Sequence, residues 1–138
     1  MQYDEFIGEV QHRAQLDSRE AALSATRATL ETLSERIQPG EAENLGAQLP
    51  GEIGRHLEKV DDVDRFDFQE FVGRVTEREG LGEKDREDAV YRAMVVVEVV
   101  DEAVTEGAID DIKEQLPDDY DDLFDLQEAE QTAGPDPG

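Results

Sequence analysis

The chain has 138 residues, with 37 Asp plus Glu against 13 Lys plus Arg, a formal net charge of −24 and no cysteine. A field this acidic repels phosphate backbones and anionic membranes, and the missing cysteine excludes disulfides, thiolate catalysis and Cys-ligated zinc or iron–sulfur centres. The length suits one ordinary domain or two small repeats packed together.

The opening Met1-Gln-Tyr-Asp-Glu-Phe6 has neither a basic n-region nor an apolar h-region, so no signal peptide is expected. Tyr3, Phe6, Ile7, Val10 and Ala14 then form one helical stripe. Asp17 and Ser18 are cap-type residues, and Glu20 completes a capping box with Asp17. Leu23, Thr26, Leu30, Leu33 and Ile37 alternate by three and four, which predicts a long second helix closed by Pro39-Gly40. A short helix is predicted over about 41–49, and Pro50 can open another with Ile53 and Leu57 as its apolar contacts. Residues 60–66 read as a linker.

The second half repeats the order. Asp67 with Glu70 is another capping box, followed by Phe68, Phe71, Val72 and Val75. A long helix is predicted over about 83–106, closed by Gly107, and Pro117 opens a last one through Tyr120, Leu123 and Phe124. The tail 131–138 is rich in Gly and Pro and is expected to fray. Met94–Val100 is β-branched and would be a strand by propensity, but its flanks keep helical spacing, so it reads as helix. The longest apolar run, Ala93 to Val97, is far too short for a membrane span. The valines of this helix spread over roughly 200°, wider than the stripe of a surface helix. Burial at the bundle centre is the ordinary fate of such an arc; the alternative is that Val95, Val96 and Val99 form an interaction surface.

The two halves align. Tyr3-Asp-Glu-Phe-Ile-Gly-Glu-Val10 matches Phe68-Gln-Glu-Phe-Val-Gly-Arg-Val75 at an offset of 65, and Arg13 and Leu16 fall on Arg78 and Leu81. Two residues inserted near Gly82 shift the offset to 67, where Gln48-Leu-Pro50 meets Gln115-Leu-Pro117. The reading is all-α, a helical bundle of two tandem pseudo-symmetric repeats: 1–59, a linker 60–66, 67–130 and a tail 131–138.

The stretches Tyr3-Asp-Glu-Phe6, Asp17-Ser-Arg-Glu-Ala-Ala22, Thr26–Arg36, Ala47-Gln-Leu-Pro50 and Gln115-Leu-Pro-Asp-Asp-Tyr120 resemble domain-of-unknown-function family 2267 over roughly residues 2–126. The resemblance implies a helical fold and supplies no catalytic residue. The chain also looks like a haloarchaeal member. Only three lysines (Lys59, Lys84, Lys113) stand beside ten arginines, and the acidity reads first as adaptation to molar salt, where the Debye length falls to about 3 Å.

Candidate chemistry is thin. Gly46-Ala-Gln-Leu-Pro-Gly51 has P-loop glycine spacing, but Glu52 and Ile53 stand where Lys and Ser/Thr are required. Glu9 and His12 share a helical face, yet a di-iron site needs a second Glu-x-x-His, and Ile53 stands at the corresponding place before His56. Asp119, Asp121 and Glu130 mimic calcium-loop positions, but Phe124 occupies the glycine hinge; a looser cation site would draw on Asp118, Asp119, Asp121 and Asp122. The three serines have no neighbouring base motif. The expected function is therefore a non-enzymatic protein-interaction module of the cytoplasm, adapted to high salt, without cofactor, nucleic acid or membrane partner, binding another protein or itself. The alternative is a small-ligand or divalent-metal-binding protein using the acidic loop near Asp119. A nucleic-acid mimic is a third reading.

Overall fold

The computed structural model describes residues 1–58 and 62–133, the side chains of 130–133 excepted. Lys59, the first two residues of the expected linker (Val60 and Asp61) and residues 134–138 lie outside the described residues. Among the described residues eight α-helices follow in chain order: α1 (Tyr3–Arg13), α2 (Arg19–Arg36), α3 (Pro39–Ala47), α4 (Gly51–Gly54), α5 (Phe68–Arg78), α6 (Arg86–Ala103), α7 (Ala108–Glu114) and α8 (Asp125–Ala133). Short 3-10 segments at Arg55–Leu57, Glu83–Asp85 and Asp118–Phe124 join them, and the described residues contain no strand.

Local signals explain most boundaries. The Ser18 hydroxyl accepts from the Ala21 amide at 3.1 Å, so Ser18 rather than Asp17 caps α2, and with Ala21 at the third helical position no capping box closes there. Asp67 caps α5 as expected, accepting from the Glu70 amide at 2.9 Å. Pro39 stands at the first position of α3, which its locked φ suits. Pro117 opens a 3-10 segment first, with α8 beginning at Asp125. Helix α8 continues to Ala133, three residues into the stretch expected to fray.

Helices α1 and α5 end alike. The Leu16 amide donates to the Gln11 carbonyl at 2.9 Å, and the Leu81 amide donates to the Thr76 carbonyl at 3.0 Å, both six-to-one closures. Such a closure needs a left-handed residue. Gly80 supplies it after α5 at φ +74°, and Gln15 after α1 at φ +56°.

Helices α2 and α6 form the centre. They pack on each other, and each also packs on both α1 and α5; α3 and the 3-10 turn at Arg55–Leu57 cover α2, while α7, α8 and the segment at Asp118–Phe124 cover α6. This is why the valine-rich segment is helical. Val95, Val96, Val97, Val99 and Val100 are all buried, and burial on several sides outweighs a helix-propensity deficit of about 0.5 kcal/mol per β-branched residue. Val95, Val96 and Val99 therefore lie in the core of the domain and present no surface to a partner.

A glycine pair sets the packing of α3 on α4. A Cβ on Gly54 would stand 2.2 Å from the Gly46 carbonyl oxygen, and one on Gly46 would stand 2.8 Å from the Gly54 oxygen. The two backbones touch directly, so the phosphate-loop-like glycine at position 46 is there for packing. Gly54→Ala should destabilise by about 2–4 kcal/mol, because backbone atoms must move apart. Gly40→Ala, where a Cβ meets nothing within 4 Å, should be neutral or gain up to about 1 kcal/mol. Urea melts in molar salt distinguish the two, and equal effects would refute the packing account.

Candidate functional site

The strongest polar geometry ties helices together. Arg13, the last residue of α1, forks onto Glu102 of α6 at 2.5 and 2.7 Å and reaches Glu98 at 3.2 Å and Glu9 at 2.9 Å. Arg78, the last residue of α5, forks onto Glu35 of α2 at 2.8 and 2.7 Å and donates to the Thr32 hydroxyl at 2.7 Å. Arg74 adds contacts to Glu35 at 3.1 Å, Asp64 at 2.9 Å and Glu70 at 2.9 Å. The hydrogen bonds from Arg78, followed by its charge and by Arg74, hold the Glu35 carboxyl below the ordinary carboxylate range. The Glu102 hydrogen bond raises Arg13, and the carboxylates around Arg74 raise it despite partial burial. Planar bidentate pairs of this kind fix orientation as well as charge.

Glu79 is different. Its side chain is 2% exposed, Arg92 donates to Oε1 at 3.0 Å, and Oε2 has no hydrogen-bond partner among the described residues. Burial pushes its carboxyl above the ordinary range against the pull of Arg92. It lines none of the recesses described below.

The acidic loop has a structural task. Asp119 Oδ2 accepts the amide of Phe68 at 2.9 Å, and the Tyr120 hydroxyl donates to the Phe66 carbonyl at 2.8 Å. Tyr120 also stacks edge-on to Phe68 and Phe71 at 5.4 and 5.7 Å between ring centroids, and burial pushes its phenol up to about 12. The buried Arg36 donates to the same Phe66 carbonyl at 2.8 Å and lies over the Tyr120 ring. The second Gln-Leu-Pro turn thus delivers two residues that clasp the start of α5. Asp118, Asp119, Asp121 and Asp122 are exposed, and among the described residues no three His, Asp or Glu converge on a point a metal could occupy.

Two of the recesses hold the histidines. An open basin of about 1010 Å³ lies over the end of α1, lined by Gly8, Gln11, His12, Gln15, Leu16 and the Arg13–Glu98 pair. Tyr91 stands beside it, 44% exposed, its hydroxyl donating to the Arg13 carbonyl at 3.2 Å. The second recess is a narrower cleft of about 410 Å³ between α1, α2 and the α4 turn. Tyr3, Ile7, Leu23 and Ile53 supply its apolar surface, and Ser24, Thr26, Arg27, Arg55 and His56 supply polar groups, with Glu20 and Glu52 also lining it. His56 Nδ1 is 3.9 Å from Glu31. The two histidines thus belong to different recesses. Sequence reasoning missed the cleft, whose only advance signal was arginine on an acidic chain.

The clamps predict a pH dependence. A carboxyl whose value is lowered on folding adds stability that is complete above about pH 4–5 and is lost as pH falls through the lowered value. Glu35→Gln should therefore flatten the fall in urea midpoint between neutral and acid pH, and parallel wild-type and variant curves would contradict this. Arg78→Ala should cost about 1 kcal/mol at neutral pH, once solvent screening is discounted.

No curated protein matches the chain. A family described as "Uncharacterized conserved protein (DUF2267)" matches residues 3–123, and the chain belongs to that family.

Proposed function

We propose that the protein is a non-enzymatic binding module built from two duplicated helical units, working in a cytoplasm of high salt, and that its partner is another protein. Tyr91 carries this reading. Among the described residues only Met1 and Tyr91 are large apolar side chains left exposed, and Tyr91 is held by a hydrogen bond on the rim of an open basin. Rigid tyrosines on a surface are common anchors of protein interfaces. The two perturbed carboxyls support a binding role over a catalytic one. Glu35 is held ionised between two arginines, and Glu79 is sealed from both recesses.

Several features support the duplication. Helices of 11 and 18 residues open each half. With the offsets read from the sequence, Arg13–Glu102 and Arg78–Glu35 are the same contact made in both directions, each unit's first helix gripping the other's long helix. The left-handed closures at Gln15 and Gly80 also correspond.

The acidic surface supports the salt adaptation and disfavours a nucleic-acid partner. No helix among the described residues is long and apolar enough to cross a membrane. Circular dichroism should lose helical signal as potassium chloride is diluted from molar to millimolar, and full helicity in low salt would contradict the adaptation. For the interaction, pull-downs and sedimentation in molar potassium chloride should give a stoichiometric complex with the wild type that Tyr91→Ala weakens at least about tenfold. A wild type that sediments as a monomer and retains nothing would sink the proposal.

A further inference from the structure

We infer that the cleft between α1, α2 and the α4 turn is a binding site for a carboxylate carried on a compact apolar body. Three observations and one comparison between the proposed halves converge on it. First, its volume of about 410 Å³ falls in the range of small-molecule sites.

Second, its arginines are uncommitted. Arg13, Arg19, Arg74, Arg78, Arg86 and Arg92 all form ion pairs. Arg27 and Arg55 form none among the described residues, nor does the exposed Arg65, which lines neither recess, although carboxylates outnumber cations almost threefold along the chain. Two cations left unpaired at one recess of such a surface are available for a ligand anion, and guanidinium matches carboxylate geometry.

Third, Thr26 is 2% exposed, lines the cleft, and its hydroxyl has no hydrogen-bond partner among the described residues. Thr32 on the same helix and Thr76 on α5 bond back to the carbonyls of Ala28 and Val72 at 2.7 Å, while Thr29, which lines neither recess, is unpaired like Thr26 among the described residues. A buried hydroxyl left unpaired costs about 1–3 kcal/mol in general, a deficit that a ligand oxygen in the cleft would relieve.

Fourth, the corresponding place in the other half is plugged. This step rests on the proposed duplication. At the offset of 67, Ile53 corresponds to Tyr120, whose ring fills the space beside Phe68 and Phe71. At the offset of 65 Phe68 and Phe71 correspond to Tyr3 and Phe6, and where Tyr120 fills its cluster the smaller Ile53 lines a cleft together with Tyr3 and Ile7. The polar wall is confined to the open half as well: Thr26, Arg27, Arg55 and His56 correspond to Ala93, Met94, Asp122 and Leu123. Loss of an aromatic plug coincides with gain of cations and hydroxyls, which is the exchange a ligand site requires.

The ligand is thus about the size of one aromatic or branched side chain, with its carboxylate toward Arg27 and Arg55. Glu20 and Glu52 also line the cleft. They can hold an ammonium group, so the carboxylate could come from a simple acid or from an apolar amino acid.

Amide NMR titrations at constant molar potassium chloride test this with three probes: benzoate, phenylalanine and neutral benzyl alcohol. Benzoate or phenylalanine should saturably shift amides of residues 23–27 and 52–57, with benzyl alcohol at least about tenfold weaker. Phenylalanine binding more tightly than benzoate would assign the source as an amino acid, with the glutamates on its ammonium group; the reverse order would assign a simple acid. Arg27→Gln and Arg55→Gln should each weaken binding about tenfold, and Ile53→Tyr should abolish it by restoring the plug. The same spectra report whether each variant is folded. Tyr91→Ala should leave the titration unchanged, so a failed protein interaction and a failed cleft give different results. Equal binding of benzyl alcohol, indifference to both arginine substitutions, or no saturable shift with any probe would overturn the inference.

Discussion

The fold depends on burying two long helices, α2 and α6, against each other and between the same two neighbours. Each central helix has a polar edge that must be kept in register, and an arginine at the end of a neighbouring helix does this from outside the core. Arg13 holds α6 through Glu102, and Arg78 holds α2 through Glu35. Apolar burial supplies most of the stabilisation in such a core but is non-directional. The two forks add direction: a slide of either central helix by one turn would break both bonds of a fork together. The shorter helices then attach to a centre whose geometry is already defined.

Much of this was legible in the sequence because it is local. Cap residues, prolines and the three-and-four spacing of Leu23 to Leu33 are decided within a few residues, and they located α1, α2, α3, α5 and α6 to within a turn, whereas α7 was given no bounds and α8 begins eight residues after Pro117. The β-branched run at Met94–Val100 was legible only through its flanks, since burial on several sides is what makes it helical. The same burial withdrew Val95, Val96 and Val99 from any role as a surface. Contacts between distant residues were not legible. Asp119 looked like part of a cation loop and is a cap for α5, reached across 51 positions of chain. The cleft was not legible either, because its lining is gathered from α1, α2 and the α4 turn, across residues 3 to 56.

The halves diverge most where the chain carries its least ordinary polar chemistry. Around Phe68, Phe71 and Tyr120 the second half has an aromatic cluster with its hydroxyl and neighbouring arginine both directed at the Phe66 carbonyl. The first half has Tyr3, Phe6 and the smaller Ile53 in the aligned positions, with Arg27 and Arg55 lining the neighbouring cleft. Under the proposed duplication, one copy was left to hold the structure together and the other was free to change. The buried Glu79–Arg92 pair shows the same divergence in reverse, since Ala14 and Ala25 stand at the aligned positions of the first half.

The direct contact of Gly46 with Gly54 has a thermodynamic consequence. The wall that carries Arg55 and His56 is seated on backbone against backbone, with no side chain between that could choose among rotamers. A ligand meeting this wall would freeze few new degrees of freedom in it. Such a site is preorganised, and its association enthalpy would be retained largely uncancelled by the ordering of its own scaffold. A residue without a side chain would then govern how sharply the site discriminates among ligands, from a position where it touches none of them.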